Sequence, residues 1–131
     1  MNKIMNKFDF SDKVILVVED TETSNKFFEA ALSRTNAKLL WATDGKEAIE
    51  IFDKNHIDII LLDLNLLSTN GFEVLKHVRN MGSNVPVLVQ TAYVLAGEEK
   101  TSFELGADAF IAKPIKLNQL METIDELLKK K

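Results

Sequence analysis

The sequence predicts an α/β fold, a doubly wound five-stranded parallel sheet with flavodoxin-like order 2-1-3-4-5 and helices on both faces. Two observations predict it. Short apolar runs recur five times, and a segment with helical spacing of apolar residues follows each run. That alternation is typical of a parallel sheet with right-handed crossovers. In addition, residues 59–62 form a continuous apolar run, as expected of a strand covered on both faces.

Five apolar segments are the predicted strands, and they cover residues 14–18, 37–42, 57–62, 87–90 and 109–112. The second segment has more mixed polarity than the others, which favours a position at the edge of the sheet. Pro86 opens the fourth strand, where its missing N–H costs no ladder hydrogen bond. Of the two common doubly wound orders, 2-1-3-4-5 suits five strands and places the mixed segment outermost.

Helical spacing of apolar residues follows each strand. Thr21 stands where it can cap the first helix, and Ala48, Ile49 and Phe52 are the predicted inner face of the second. The fourth helix is weakly patterned and ends at Gly106, a typical C-cap. The last helix is clearly amphipathic, with apolar positions at Leu117, Leu120, Met121, Ile124, Leu127 and Leu128.

Composition indicates a single globular domain and excludes several classes of function. The 131 residues are 46% hydrophobic and 27% charged, which is ordinary for a globular protein. The net charge of −4 gives no reason to expect nucleic-acid binding. The absence of cysteine excludes disulfides and thiolate metal sites. No apolar run approaches the roughly 18 residues of a membrane span, so we expect no membrane contact by this chain. The absence of cysteine fits a reducing compartment, and we expect a cytoplasmic location.

The predicted domain runs from residue 13 to residue 131, and residues 1–12 are an N-terminal extension. Two aromatic residues, Phe8 and Phe10, lie in this extension. They either dock on the domain or belong to a frayed tail, and the sequence leaves both open.

Reactive side chains follow four of the predicted strands. Glu19 and Asp20 follow the first, Asp63 the third, Thr91 the fourth and Lys113 the fifth. Binding sites of doubly wound sheets lie beyond the carboxyl ends of the strands, and these four strands are neighbours in the predicted order. An aspartate at a strand end also caps helices frequently. The convergence of all five groups is therefore what favours a functional site.

Three neighbouring carboxylates repel one another. One unit-charge repulsion at ~4 Å is about 4 kcal/mol at an effective dielectric constant of ~20. Lys113 offsets part of that repulsion, and a divalent cation would offset the rest. Oxygen ligands without His or Cys favour Mg²⁺, with Mn²⁺ as the alternative. A cation, a lysine and a hydroxyl around one carboxylate are the groups that stabilise a transferring phosphoryl group, with Asp63 as the nucleophile.

Five motifs resemble those of the receiver (response-regulator) domain of bacterial two-component and phosphorelay signalling, and the similarity covers residues 13–128. The motifs are Val17-Val18-Glu19-Asp20, Leu61-Leu62-Asp63-Leu64-Asn65, Asn70-Gly71-Phe72-Glu73, Thr91-Ala92 and Lys113-Pro114.

The resemblance implies that Asp63 is the phosphoacceptor and that a phosphohistidine is the donor. It implies that Asp20, Asp63 and the backbone carbonyl of Asn65 bind Mg²⁺, with Glu19 contributing through water. Two departures from the family pattern concern this region. The acidic pair is Glu-Asp rather than Asp-Asp, and Leu66-Leu67 replaces Met-Pro after the acceptor, so no proline restricts that loop.

The resemblance also implies a switch. Thr91 and Lys113 would hold the phosphoryl oxygens, Phe110 would be the switch aromatic, and the Lys113–Pro114 peptide bond would be cis. Thr91 would move toward the phosphoryl group, Phe110 would turn into the vacated space, and the surface around the fourth helix and fifth strand would change. We further hypothesise that the Tyr93 ring hinders hydrolytic water.

The resemblance implies a signalling module, not an enzyme beyond the phosphorylation and dephosphorylation of its own Asp63. Its expected partner is a histidine kinase or a histidine phosphotransfer protein. A stand-alone regulator and a receiver from a hybrid histidine kinase both fit, and in the second case the parent would be a kinase. The output, the signal and the cognate kinase are not indicated. Residues 96–110 are the family's usual surface for a phosphorylation-dependent homodimer.

Three rival functions remain to be weighed. A flavodoxin needs a phosphate-cradling loop after the first strand, whereas the acidic run of residues 19–22 repels phosphate. A haloacid-dehalogenase-type phosphatase resembles this chain in its Asp nucleophile but needs a second Asp two residues on, where Asn65 stands. A degenerate receiver that only binds partners is disfavoured by the retained Asp63, Thr91 and Lys113.

Overall fold

The computed structural model describes residues 8–66, 71–92 and 97–129. Its centre is a five-stranded sheet in which every neighbouring pair is parallel. The order is β2-β1-β3-β4-β5, so the predicted fold class and strand order are confirmed. The strands are β1 (Val14–Val18), β2 (Lys38–Ala42), β3 (Ile59–Asp63), β4 (Val87–Thr91) and β5 (Ala109–Ala112).

Helices connect the strands and cover both faces of the sheet. They are α1 (Glu22–Leu32), followed by a 3₁₀ turn (Ser33–Thr35), then α2 (Gly45–Lys54), α3 (Gly71–Asn80), α4 (Glu98–Glu104) and α5 (Leu117–Lys129). No helix in these described ranges is long and apolar enough to cross a bilayer.

Two hydrophobic clusters fill the space between the sheet and its helices. One lies on the α1/α5 face and includes Phe28 and Ile124, while the other lies on the α2/α3 face and includes Ala48 and Leu75. Strand residues alternate between them, so Leu61 faces α1 and α5 whereas Leu62 faces α2 and α3. The central strands β1, β3 and β4 are therefore covered on both faces, as the sequence predicts, and their polar residues Asp63, Gln90 and Thr91 lie at the carboxyl ends.

Two local predictions on the helices need correction. Thr21 occupies the N-cap position of α1, but its side chain makes no capping hydrogen bond; its hydroxyl donates to Asp20 Oδ1 at 3.4 Å instead. Ile49 is half-buried and belongs to neither cluster, whereas Ile51 and Phe52 pack on the α2/α3 face with Ala48. Positions 51 and 52 are three and four residues after Ala48 and so share its face.

The N-terminal extension docks on the domain from Phe8 onward. Phe8 and Phe10 are 5% and 3% exposed and belong to the cluster on the α1/α5 face. The backbone N–H of Phe10 donates to the carbonyl of Thr35 at 2.7 Å, and its own carbonyl accepts from Lys13 at 3.0 Å. This answers the question that the sequence leaves open for these two rings: both are core residues.

Candidate functional site

The carboxyl ends of the strands bring the predicted residues to one edge of the sheet. Asp63 and Thr91 are the last residues of β3 and β4, and Glu19 and Lys113 directly follow β1 and β5. Backbone bonds continue the ladder there, because Lys113 N–H donates to the Thr91 carbonyl at 2.8 Å. Side chains separated by up to 94 positions in the chain therefore become neighbours.

Three carboxylates form an acidic cluster at this edge. Glu19, Asp20 and Asp63 each offer an oxygen that lies within 4.8 Å of the other two. Glu19 and Asp63 are 0% and 3% exposed, while Asp20 is half-buried. The donor set consists of hard anionic oxygens, which suits a divalent cation such as Mg²⁺.

Lys113 pairs with two of these carboxylates. Its Nζ lies 2.7 Å from Glu19 Oε1 and 3.4 Å from Asp63 Oδ2. Burial raises the pKa of Glu19, and Asp63 adds to that rise while Lys113 opposes it. Burial by itself would lower the pKa of Lys113, but the Glu19 and Asp63 carboxylates outweigh it and raise that pKa above its ordinary value. The ammonium is therefore firmly charged at neutral pH.

Asn65 connects the end of β3 to the end of β4. Its backbone N–H donates to Asp63 Oδ1 at 2.9 Å. Its side-chain oxygen accepts from the Thr91 hydroxyl and, at 3.3 Å, from the backbone N–H of Ala92. The sequence indicated only the backbone carbonyl of Asn65, and it missed the role of this side chain. No sequence pattern carries that signal, because the contact depends on how two distant loops meet.

Gly71 packs directly against the acceptor strand. A Cβ at this position would lie 2.6 Å from the carbonyl oxygen of Asp63 and 2.8 Å from Cα of Leu64. Both are backbone atoms, so only glycine allows α3 to begin this close to Asp63. In the sequence, the signal for this close approach is the position of Gly71 in the Asn-Gly-Phe-Glu motif.

The two predicted switch residues lie on the same face of the sheet. Phe110 is half-buried and packs on the α2/α3 cluster, in register with Val89 of β4. Thr91 is two residues after Val89 and is fully buried. Alternation along the strand turns Thr91 to the same face as Phe110.

The Lys113–Pro114 peptide bond is cis. Three sequence predictions concern residues that lie outside the described part of the chain: the Tyr93 ring, the Leu67 position in the acceptor loop, and the start of the 96–110 surface.

Comparison with known proteins identifies one family. Residues 15–125 match the response regulator receiver domain. The chain is 38% identical over 118 residues to the transcriptional regulatory protein CiaR of Streptococcus pneumoniae, covering 90% of this chain and 52% of that protein. It is 33% identical over 116 residues to the sensor histidine kinase RcsC of Escherichia coli, covering 88% of this chain and 12% of that protein.

A solved structure shares the fold and carries a metal. It is the receiver domain of the sensor histidine kinase PA1611 of Pseudomonas aeruginosa, with a magnesium ion coordinated in its active-site cleft. The TM-score is 0.81 at 26% identity, covering 89% of this chain and 98% of that one. The chain thus spans about an eighth of RcsC, half of CiaR and nearly all of an isolated receiver.

Proposed function

This chain belongs to the response regulator receiver domain family of two-component signalling, and from that premise we propose that it is a phosphoacceptor switch whose Asp63 takes a phosphoryl group from a phosphohistidine. One observation carries the proposal. The Asp63 carboxylate lies 3.4 Å from the Lys113 ammonium and belongs to a cluster of three carboxylates able to hold a divalent cation.

The residues of the acidic cluster fit Mg²⁺. Asp20, Asp63 and the backbone carbonyl of Asn65 would hold the ion, and Glu19 would contribute through water. Bound there, Mg²⁺ neutralises charge on the phosphoryl oxygens and on the acceptor, which is the main catalytic requirement of phosphoryl transfer. The magnesium-bound receiver of PA1611 supports this assignment by similarity.

The transfer itself exchanges one bond for another. A carboxylate oxygen of Asp63 forms a bond to phosphorus while the phosphorus–nitrogen bond of the phosphohistidine breaks. The imidazole leaves with the electron pair of that bond. Lys113 and the Thr91 hydroxyl donate hydrogen bonds to phosphoryl oxygens, where negative charge accumulates. Asn65 N–H orients the acceptor through its hydrogen bond to Asp63 Oδ1.

The proposed output follows from the shared face of Thr91 and Phe110. A Thr91 side chain that turns toward a phosphoryl oxygen leaves space beside β5, and Phe110 turns into it. The surface formed by α4 and β5 then changes, and a partner reads the change. The phosphoryl group shifts an existing equilibrium by binding one arrangement more tightly.

The proposed donor is a histidine kinase or a histidine phosphotransfer protein. The similarity to RcsC favours a receiver attached to a sensor kinase, and the similarity to CiaR favours a regulator. Radiolabelled transfer from candidate kinases, ranked by initial rate, separates preferred from unspecific donors.

Phosphorylation by a small donor tests the acceptor. The protein is incubated with Mg²⁺ and acetyl phosphate, and its intact mass is measured at intervals. We expect a gain of one phosphoryl group that disappears with EDTA and in Asp63→Asn. Asp53→Asn is the matched control, because Asp53 lies on α2 and pairs with His77 away from the site; it should behave as wild type. A wild-type protein without mass gain, or a gain retained in Asp63→Asn, contradicts the proposal.

A further inference from the structure

The side-chain oxygen of Asn65 collects two donors beside the phosphoacceptor. The Thr91 hydroxyl and the Ala92 backbone N–H both donate to Asn65 Oδ1. Asn65 is anchored at the same time by its own backbone N–H, which donates to Asp63 Oδ1 at 2.9 Å. Asn65 is thus bonded through its backbone N–H to Asp63 and through its side-chain oxygen to the end of β4.

The chemistry of the donors identifies the atom. A backbone N–H can only donate, so the Asn65 atom facing Ala92 must be the carbonyl oxygen and not the NH₂ group. The side chain therefore offers one neutral hydrogen-bond acceptor, the Oδ1 atom, at the point where the Thr91 hydroxyl and the Ala92 N–H converge. A phosphoryl group on Asp63 would bring acceptor oxygens to the same region, with more negative charge.

We propose that the Asn65 amide oxygen is a resting-state substitute for a phosphoryl oxygen, which a phosphoryl group on Asp63 must displace from Thr91 and Ala92. This inference rests on the proposed phosphoacceptor function and adds a positioning residue to it. A charged phosphoryl oxygen wins the competition because hydrogen bonds to an ionised acceptor are stronger than those to a neutral amide. The displaced Asn65 amide then turns to solvent, since it is only half-buried.

Competition has a measurable consequence. A ligand that binds only when Thr91 and Ala92 are released has its apparent affinity reduced by the fraction of molecules in which they are released. Removing the Asn65 amide removes that competitor. With a net contribution of about one ordinary hydrogen bond, the affinity for a phosphoryl analogue should rise about tenfold, equivalent to ~1.4 kcal/mol.

Titration with beryllofluoride and Mg²⁺, followed by calorimetry, tests the inference. Asn65→Ala should bind the analogue about tenfold more tightly than wild type. Asn65→Asp keeps an acceptor oxygen at the position and should show no gain. Asn55→Ala is the matched control, because Asn55 donates to the Ile51 carbonyl at the end of α2 and precedes β3, whereas Asp63 is the last residue of that strand. Unchanged or weaker binding by Asn65→Ala overturns the inference.

A double-mutant cycle separates competition from a general loosening of the loop. In a Thr91→Val background only the Ala92 donor remains, so the gain from Asn65→Ala should fall to about threefold. An equal gain in both backgrounds means that Asn65 acts without Thr91 and contradicts the inference. Failure of the proposed function looks different, because wild type itself would then bind no beryllofluoride. Urea denaturation of each variant confirms that the proteins compared are folded.

Discussion

Replacing Lys113 with methionine tests the electrostatics of the site most directly. The Lys113 side chain is 19% exposed, and its ammonium lies 2.7 Å from Glu19 and 3.4 Å from Asp63. Methionine retains most of the apolar stem and removes the positive charge together with the N–H donors. The variant therefore leaves two buried carboxylates facing each other without a counter-ion.

The expected cost follows from these distances. Oxygens of Glu19 and Asp63 lie no more than 4.8 Å apart. Two unit charges at ~4.8 Å repel by about 3.5 kcal/mol at an effective dielectric constant of ~20. Breaking a buried ion pair costs about 3–5 kcal/mol in general. Uptake of a proton by Glu19 relieves part of this, so we expect Lys113→Met to lose about 2–3 kcal/mol of unfolding free energy at pH 7.

The pH dependence has a definite sign. Burial, with Asp63 adding, raises the pKa of Glu19 above its ordinary value of 4.5. A raised pKa means that the folded state holds the Glu19 proton more tightly than the unfolded state does. The stabilisation by protonated Glu19 is therefore complete below pH 4.5 and is lost as the pH rises through the folded-state pKa. Without Lys113 the pKa of Glu19 rises further. The loss of unfolding free energy in Lys113→Met, relative to wild type, should therefore be small near pH 4.5 and grow toward pH 7.

The wild-type protein should lose unfolding free energy at alkaline pH, when Lys113 loses its proton. The Glu19 and Asp63 carboxylates raise the pKa of Lys113 above 10.5 despite its burial. The stabilisation by Lys113 is present below pH 10.5 and is lost as the pH rises through the folded-state pKa. Lys113→Met lacks this group, so its unfolding free energy should lack this alkaline decline.

Urea denaturation followed by the fluorescence of Trp41, the single tryptophan, measures these changes. Lys129→Met is the matched control, because Lys129 pairs with Asp125 while 74% exposed. An exposed pair of this kind is worth less than about 0.5 kcal/mol. Mg²⁺ should restore more stability to Lys113→Met than to wild type, since the cation supplies the missing positive charge. Equal losses in the two lysine variants at pH 7 would refute the reasoning.

Three further predictions concern packing and proton competition. Gly71→Ala should lower the free energy of unfolding, measured in urea, by about 2–3 kcal/mol, because its Cβ would overlap the Asp63 backbone. The control Gly82→Ala, where φ is +79° and an added Cβ meets no atom within 4 Å, should lower it by only about 1 kcal/mol. Equal losses contradict the overlap. Phe10→Ala should lower the free energy of unfolding by about 3 kcal/mol, because it empties a core position. The control Phe103→Ala, at a residue 45% exposed, should change thermal stability little. Similar melting temperatures of the two variants contradict a docked extension. Mg²⁺ affinity, measured by calorimetry from pH 8 to pH 5, should weaken toward pH 5, because the raised pKa of Glu19 lets protons compete with the cation; a constant affinity contradicts that linkage.

The sequence predicts the sheet well because its signal is local and repeated. Each strand is an apolar run of almost the observed length, and the order follows from a small set of doubly wound topologies. Once the order is known, the adjacency of Asp63, Thr91 and Lys113 follows from where their strands end. Their distances do not, because a lysine side chain has many rotamers, and only packing selects the one that reaches Glu19 at 2.7 Å.

Two missed features depend on contacts between distant segments. Phe8 and Phe10 carry no pattern that distinguishes a docked tail from a frayed one, since docking requires a vacancy that α1, α5 and the sheet create together. The Asn65 side chain is a comparable case, because its oxygen accepts hydrogen bonds only where the loop after β3 meets the end of β4. Helix caps are also weak signals, as Thr21 demonstrates.

The Glu-Asp pair illustrates how one substitution redistributes roles within a site. The longer arm of Glu19 lets one carboxylate oxygen reach Lys113 at 2.7 Å while the other accepts from the Thr21 N–H at 3.2 Å. Both oxygens are therefore engaged before any cation arrives. Coordination of a cation through a water molecule would leave both of these hydrogen bonds intact. Glu19 therefore holds the Lys113 ammonium in position beside the Asp63 carboxylate.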